Sequence, residues 1–327
     1  MRKATSITNI AGLRLGHADD RQALTGCTVL LPPEGTVGGF DRRGGANGSR
    51  QLDPLGLTHV VQEVHAVLLA GGSAFGLEAA TGVASFLEEQ GVGFDVTVAK
   101  VPIVPTAILF DLGLGEVQKR PDAAMGRAAC EAANSEAPAQ GCVGAGMGAT
   151  LGKALGLPQA MKSGFGSAAV EFDSGLIVGA AVAANPLGDV IDPETGAIVA
   201  GARVPGESGP VFADARAVLA ARAGGGKMGF ASADNTVIGA VVTNGRLNKN
   251  ECTLVAQMAQ DGIARAVRPA HTQFDGDTVF ALATGELEVE ATIVGTFAAE
   301  MVAQSIMNAV RRAEALGGLP AWVDFQE

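Results

Sequence analysis

The sequence predicts an α/β layered protein, and three observations carry that reading. Short apolar runs of strand length alternate with segments of helical period along the chain. Glycine, at 46 residues, is about twice its usual share of ~7% and is dispersed, which suits tight turns and close backbone approaches rather than a linker. No fixed-period repeat and no linker divides the 327 residues, so they are read as one domain with a large core.

The elements follow in chain order. Apolar runs at 26–31 and 66–70 are read as strands, and a helix is expected over 73–90, where Phe75, Ala79, Val83 and Phe86 recur at helical spacing. A strand at 95–98, a helix at 122–133 and a strand at 175–183 come next. From Asn185 to Phe230 the chain carries turn compositions, Asp192-Pro193-Glu194-Thr195-Gly196, Pro205-Gly206 through Pro210 and Gly224-Gly225-Gly226, and is expected to be less regular. The run 237–243 is a buried strand. Asn248 then caps a helix with Glu251 three residues on, and Leu254, Val255, Met258 and Ile263 give it an inward face. After a strand at 278–284, a last helix is expected over 293–316, with Phe297, Met301, Ile306 and Val310 on one stripe and Gly317-Gly318 as its stop.

Charge narrows the function classes. Only 17% of residues are charged, against roughly 25% in ordinary soluble domains, so much of the surface is either uncharged or covered by partner subunits, and an oligomer is expected. The net charge of −11, with no basic run, argues against nucleic acid and anionic membranes and points to small neutral or amine-bearing ligands. The N-terminus lacks an apolar signal core and no uncharged membrane-length stretch is read, so a cytoplasmic location is expected. Cys27, Cys130, Cys142 and Cys252 are scattered, and His17, His59, His65 and His271 form no ligand set with them, so free thiols and no metal or cofactor are expected.

Three glycine motifs each fall short of the pattern they approach. Gly144-Ala145-Gly146-Met147-Gly148-Ala149 meets a loose dinucleotide pattern, but Gly152, Gly156 and Pro158 prevent the helix that would hold a pyrophosphate. Gly152-Lys153 lacks the leading glycine and the following hydroxyl of a P-loop. Gly71-Gly72-Ser73-Ala74-Phe75 misses a nucleophile elbow because Phe75 stands where glycine is needed; it reads as a tight turn whose amides could hold an anion.

Asn235-Thr236 is the pattern richest in chemistry. It sets a hydroxyl at the head of a buried strand, and Phe274-Asp275-Gly276-Asp277-Thr278 brings two carboxylates to the head of the next. Cleavage before Thr236 would give that residue both a hydroxyl and an α-amine, whose ordinary pKa of about 7.7–8.0 suits a general base near neutrality. Taken alone, the pair is also an ordinary polar entry to a strand, and Asp275-Gly276-Asp277 an ordinary turn.

The order of blocks along the chain decides between these. Arg43-Gly44-Gly45-Ala46 with Gly48, then Leu69-Ala70-Gly71-Gly72-Ser73-Ala74-Phe75-Gly76-Leu77-Glu78, Gly144-Ala145-Gly146, Gly152-Lys153, Asn185-Pro186-Leu187-Gly188, Asn235-Thr236-Val237-Ile238 with Val242-Thr243-Asn244, and Pro269-Ala270-His271-Thr272 before Phe274 to Thr278 span nearly all of it. In this the sequence resembles the DmpA and NylC family of self-cleaving N-terminal-nucleophile hydrolases: L-aminopeptidase/D-esterases, β-peptidyl aminopeptidases and 6-aminohexanoate-oligomer (nylon oligomer) endo-hydrolases. The nylon-oligomer branch is nearest in pattern, because Thr stands as nucleophile with a complete aspartate pair.

The resemblance implies a four-layer α/β/β/α sandwich, assembly as a tetramer or larger homo-oligomer, and self-cleavage into residues 1–235 and 236–327. It implies Thr236 as nucleophile, Asp275 and Asp277 as the acidic pair that orients and activates it, and Lys153 and Asn185 as residues lining the centre and stabilising the oxyanion. Gly71, Gly72, Ser73 and Phe110 are candidate substrate contacts; Phe110 stands where better-known members carry Tyr, and the chain has no Tyr at all. The activity implied is hydrolysis of a small-molecule amide or peptide, with 6-aminohexanoate oligomers and small peptides as candidate substrates. An aminopeptidase or esterase for N-terminal or β-amino acids, an ornithine-acetyltransferase-like acyltransferase and an uncleaved non-catalytic assembly are the other readings.

Overall fold

The computed structural model describes residues 1–206, 211–223 and 235–326. Two sheets carry the architecture. The larger has six strands in the order Arg2–Thr5, Phe165–Phe172, Ile177–Asn185, Thr236–Arg246, Thr278–Glu288, Val37–Arg42. The smaller has five, in the order Arg14–Asp20, Thr25–Leu31, Val67–Ala70, Thr106–Ile108, Ser49–Arg50.

Side-chain alternation places these sheets in layers. Leu30, Val67, Leu69 and Ala107 of the smaller sheet meet Phe165, Ile238, Val242 and Phe280 of the larger in a shared core. Their neighbours point outward: Val29, Leu68 and Ala70 meet Ala79, Val83 and Ala129, from the helices Ala79–Glu89 and Ala123–Glu131. On the far side, Val182, Val237, Val241 and Val279 pack against Val255, Ile263, Val302 and Ile306, from the helices Lys249–Ala266 and Ala291–Arg311. The result is helix, sheet, sheet, helix: the four-layer α/β/β/α sandwich. Strands buried on both faces read as unbroken apolar runs, which is why 237–243 shows no polar alternation. Each fully buried side chain such as Ile238 or Phe280 contributes about 1.5–3 kcal/mol through its removal from water.

Two strand pairings position the chemistry. Thr236–Arg246 and Thr278–Glu288 run parallel, Ile238 opposite Thr278, joined by the crossover helix Lys249–Ala266 that parallel strands require. Both strand heads therefore open at one edge, and Asp275 and Asp277 arrive beside Thr236. Ile177–Asn185 runs antiparallel to the same strand with Asn185 opposite Thr236, so its last residue reaches that edge too.

The crossover helix starts where the sequence predicts. Asn248 Oδ1 accepts from the Glu251 N–H at 3.0 Å, and Glu251 Oε2 accepts from the Asn248 N–H at 2.8 Å. Its inward face differs from expectation: Leu254 is 44% exposed, and Cys252, Val255, Ala256, Ala259 and Ile263 face the sheet.

Other expectations are corrected. The 73–90 helix begins as a 3-10 turn, Ser73–Glu78, because Gly72 and Ser73 both hold positive φ and the helical bonds open only at Ala79. The 95–98 strand is a two-residue element, Phe94–Asp95, in an exposed hairpin with Lys100–Val101, and Val98 is 92% exposed. The last helix ends at Arg311; Gly317 and Gly318 close a separate turn, bridged from Leu316 to Leu319. The 185–230 segment is more regular than read, with strands Asp189–Ile191 and Ile198–Ala200 and a helix Ala215–Ala221; residues 207–210 and 224–230 of it lie outside the described residues. Among the described residues one helix, Ala291–Arg311, is long and apolar enough to cross a membrane by length and composition; Glu300 interrupts it, and 13 of its residues are buried, as in a core helix.

Candidate active site

The site is built on the head of the Thr236–Arg246 strand. Thr236 is 3% exposed, and its hydroxyl donates to the Asn235 carbonyl oxygen of the peptide bond that precedes it. That same carbonyl accepts from the Gly276 N–H at 3.1 Å, so it is polarised from two sides. The hydroxyl and the carbonyl it would attack thus share one backbone step, with a backbone donor already on the oxygen.

The acidic pair flanks this step with divided duties. Asp277 Oδ1 accepts from the Val237 N–H at 2.7 Å, one residue past the hydroxyl, and its Oδ2 lies 2.6 Å from His271 Nδ1. Asp275 Oδ2 accepts from the Thr272 N–H at 2.8 Å and the Thr272 hydroxyl at 2.6 Å, and Oδ1 takes a long contact of 3.4 Å from the Leu187 N–H. Burial, and then the charge of Asp277, hold the Asp275 carboxyl above the ordinary carboxylate range.

The Arg43-to-Asn47 stretch buttresses this acidic loop through two backbone amides and the Asn47 side chain. Arg43 N–H donates to Asp277 O at 2.9 Å, Ala46 N–H to Asp275 O at 3.0 Å, and Asn47 Nδ2 to Asp277 O at 3.1 Å. Glycine is required at 44, where φ is +83° and an added Cβ would sit 2.1 Å from Asp275 O.

A second group approaches from the opposite strand. Lys153 Nζ donates to Asn185 Oδ1 at 2.8 Å and to Asn185 O at 3.0 Å, and is 8% exposed. Thr150 adds its N–H at 2.9 Å and its hydroxyl at 3.2 Å to the same Oδ1, while Asn185 Nδ2 donates to Phe110 O at 3.0 Å. Lys153 and Phe110 line a small cleft with Asp111, Gly113, Thr150 and Leu157. Beneath it Lys162 is wholly buried, and its Nζ satisfies Ala149 O at 2.8 Å and Ser163 O at 2.9 Å, fixing the chain just before Thr150.

The structure therefore brings Thr236, Asp275, Asp277, Lys153, Asn185 and Phe110 to one edge. The Gly71-Gly72-Ser73 turn is different. Its amides are all taken within the chain: Gly71 N–H donates to Gly26 O at 2.8 Å, Gly72 N–H to Asp111 Oδ1 at 2.6 Å and Ser73 N–H to Leu109 O at 3.0 Å. None is open to an outside anion; that of Gly72 anchors Asp111, whose carboxyl also accepts from the Thr25 hydroxyl at 2.7 Å and is pushed up to about 6 by burial. The sequence reading assigned no role to Asp111, Lys162, Thr272 or His271; for the last two the signal was their place three and four residues before Asp275.

The profile of Peptidase family S58 matches residues 5–321. The chain belongs to peptidase family S58. As an S58 member it is an enzyme that hydrolyses amide bonds. A Mycobacterium leprae protein named as an uncharacterised aminopeptidase is 41% identical to this S58 chain over 97% of it and 93% of the relative. A 6-aminohexanoate-oligomer endohydrolase from Kocuria sp. is 33% identical over 92% of this chain and 84% of its own. Among solved structures, the L-aminopeptidase D-Ala-esterase/amidase of Ochrobactrum anthropi, described as a variant of the Ntn hydrolase fold, superposes with a TM-score of 0.70 at 19% identity, covering 96% of this chain and 88% of its own. That likeness establishes the layered fold as the DmpA type.

Proposed function

We propose that this S58 chain matures by cleaving its own Asn235–Thr236 bond and that Thr236 then attacks substrate amides as an N-terminal nucleophile. The observation that carries this is the Thr236 hydroxyl seated on a scissile carbonyl that also accepts from Gly276 N–H. In the precursor, Oγ1 adds to the Asn235 carbonyl carbon, the C–N bond breaks in an N-to-O acyl shift, and water hydrolyses the ester. The aspartate pair supplies the base at this stage, because the Thr236 nitrogen is still an amide.

In the mature enzyme the freed α-amine takes the hydroxyl proton and passes it to the leaving amine, and water releases the acyl group. Lys153, through Asn185, supplies positive charge opposite Thr236 in the register and stabilises the oxyanion. Phe110 contributes an apolar wall with no phenolic donor, so Lys153 and Asn185 carry more of that stabilisation.

The substrate class we propose is a linear amide, either a 6-aminohexanoate oligomer or a small peptide. The 33% identity to a 6-aminohexanoate-oligomer endohydrolase and the 41% identity to a protein named an aminopeptidase support the two members of that class. Purified enzyme is to be incubated with 6-aminohexanoate oligomers, α-aminoacyl amides and β-peptides. Internal cleavage of the oligomers, giving intermediate-length products at early times, is expected; stepwise loss of single N-terminal residues would assign an aminopeptidase, and no release from any of the three would refute the proposal.

Assembly into a homo-oligomer, a tetramer of cleaved protomers, belongs to the same proposal. The low charge content and the exposed Val96, Val98 and Val101 support it. Light scattering is expected to return a mass near four chains, and a monomer mass at micromolar concentration would contradict it.

A further inference from the structure

His271 stands outside every role assigned so far, and four features of it converge. Its Nδ1 lies 2.6 Å from Asp277 Oδ2, while Asp277 Oδ1 accepts from Val237 N–H at 2.7 Å. Its backbone holds φ at +56°, a conformation uncommon outside glycine. Its Nε2 is buried and without a hydrogen-bond partner among the described residues. Its side chain keeps 17% exposure, so the ring sits between the acidic loop and the surface.

We propose that His271 is a positioning residue of the hydrolytic centre: its Nδ1–H holds Asp277 in the one orientation that ties the head of the Thr236 strand. The inference rests on the assignment of Thr236 as nucleophile and adds to it the part that fixes the acidic pair. With a donor on each oxygen, Asp277 accepts at both, and the plane of its carboxyl group is fixed. Asp275 is held less tightly at Oδ1, which carries only the long 3.4 Å contact, and burial raises its carboxyl above the ordinary carboxylate range. Donation from Nδ1 also sets the neutral ring's tautomer, leaving the lone pair on Nε2. The uncommon φ at 271 is what turns the ring back onto Asp277, six residues ahead, and the surrounding loop bonds maintain it.

Two substitutions separate the ring's hydrogen bond from the backbone's shape. His271→Gly accepts φ +56° without strain and has no side-chain donor; His271→Asn tolerates that φ and keeps an N–H near the position of Nδ1. Self-cleavage is followed on a denaturing gel, and kcat and KM are measured on the cleaved fraction with the best of the three substrate classes. His271→Gly is expected to slow both self-cleavage and kcat by about 10- to 100-fold with KM within about twofold, the cost of loosening a positioned group. His271→Asn is expected to recover both rates to within about threefold of the parent, since the donor survives. Parental rates in His271→Gly, or His271→Asn as slow as His271→Gly, would overturn the proposal. If His271→Gly fails to fold by its thermal melt, His271→Asn decides alone: near-parental rates support the assignment, and a loss beyond about tenfold overturns it. A parent that never cleaves sinks the Thr236 assignment and this one with it, whereas slow variants beside a cleaving parent bear on His271 only.

Discussion

Thr236→Ala is expected to remain a single chain of 32.8 kDa and to lose amide hydrolysis altogether. In the proposed mechanism the hydroxyl is the attacking atom twice, first on the Asn235 carbonyl it already touches and then on the substrate, so one deletion would remove maturation and turnover together. The loss in turnover should exceed about 10⁴-fold, because binding and oxyanion contacts alone leave only a residue of the rate when a nucleophile is removed. The fold should survive. Thr236 sits in a strand whose partners bond through the backbone, and Ala fits there without steric conflict. A denaturing gel and a progress curve read both effects, and two bands from the variant would remove Thr236 from the role.

Lys153→Met carries the second large effect. It keeps the length and apolar stem of the side chain and removes the cation that lies 2.8 Å from Asn185 Oδ1. Removing one stabiliser of a developing oxyanion is expected to lower kcat by about 10²–10³-fold with KM little changed. Asn185 would still be held by Thr150 N–H at 2.9 Å and through its own bond to Phe110 O, so the amide should stay in place and the loss should be electrostatic. Steady-state kinetics on the cleaved variant decide it. A change confined to KM would place Lys153 in substrate binding, and an unchanged kcat would take it out of the centre.

Much of the site was legible because it depends on strand heads and on one crossover. An apolar run opening with Asn235-Thr236, a capped helix and a second run opening after Asp277 describe a parallel pair, and parallel neighbours put their heads at the same edge. The layered core was legible for a related reason, since strands buried on both faces are continuous apolar runs.

What escaped is what composition disguises or distance conceals. The Val37–Arg42 and Phe165–Phe172 strands were not read because Gly38, Gly39, Gly166 and the alanines of the latter are poor strand formers. Their small size has a packing reason: a Cβ on Gly39 would meet Thr253 N at 2.4 Å, and one on Gly166 would meet Ser305 O at 2.0 Å, in the helices that cover the sheet. The Gly71–Ser73 turn was misread because the carboxylate that occupies the Gly72 amide, Asp111, lies 39 residues away in sequence. His271 was hidden because its meeting with Asp277 depends on a positive φ that nothing in a His-Thr pair announces.

The account stands on Thr236 becoming a chain terminus, and N-terminal sequencing of the purified parent enzyme tests that most directly. The smaller fragment from a denaturing gel is predicted to begin Thr236-Val237-Ile238-Gly239 and to accumulate at the expense of the full-length chain. An intact chain after prolonged incubation in an active preparation, or a fragment beginning at any other residue, would contradict it.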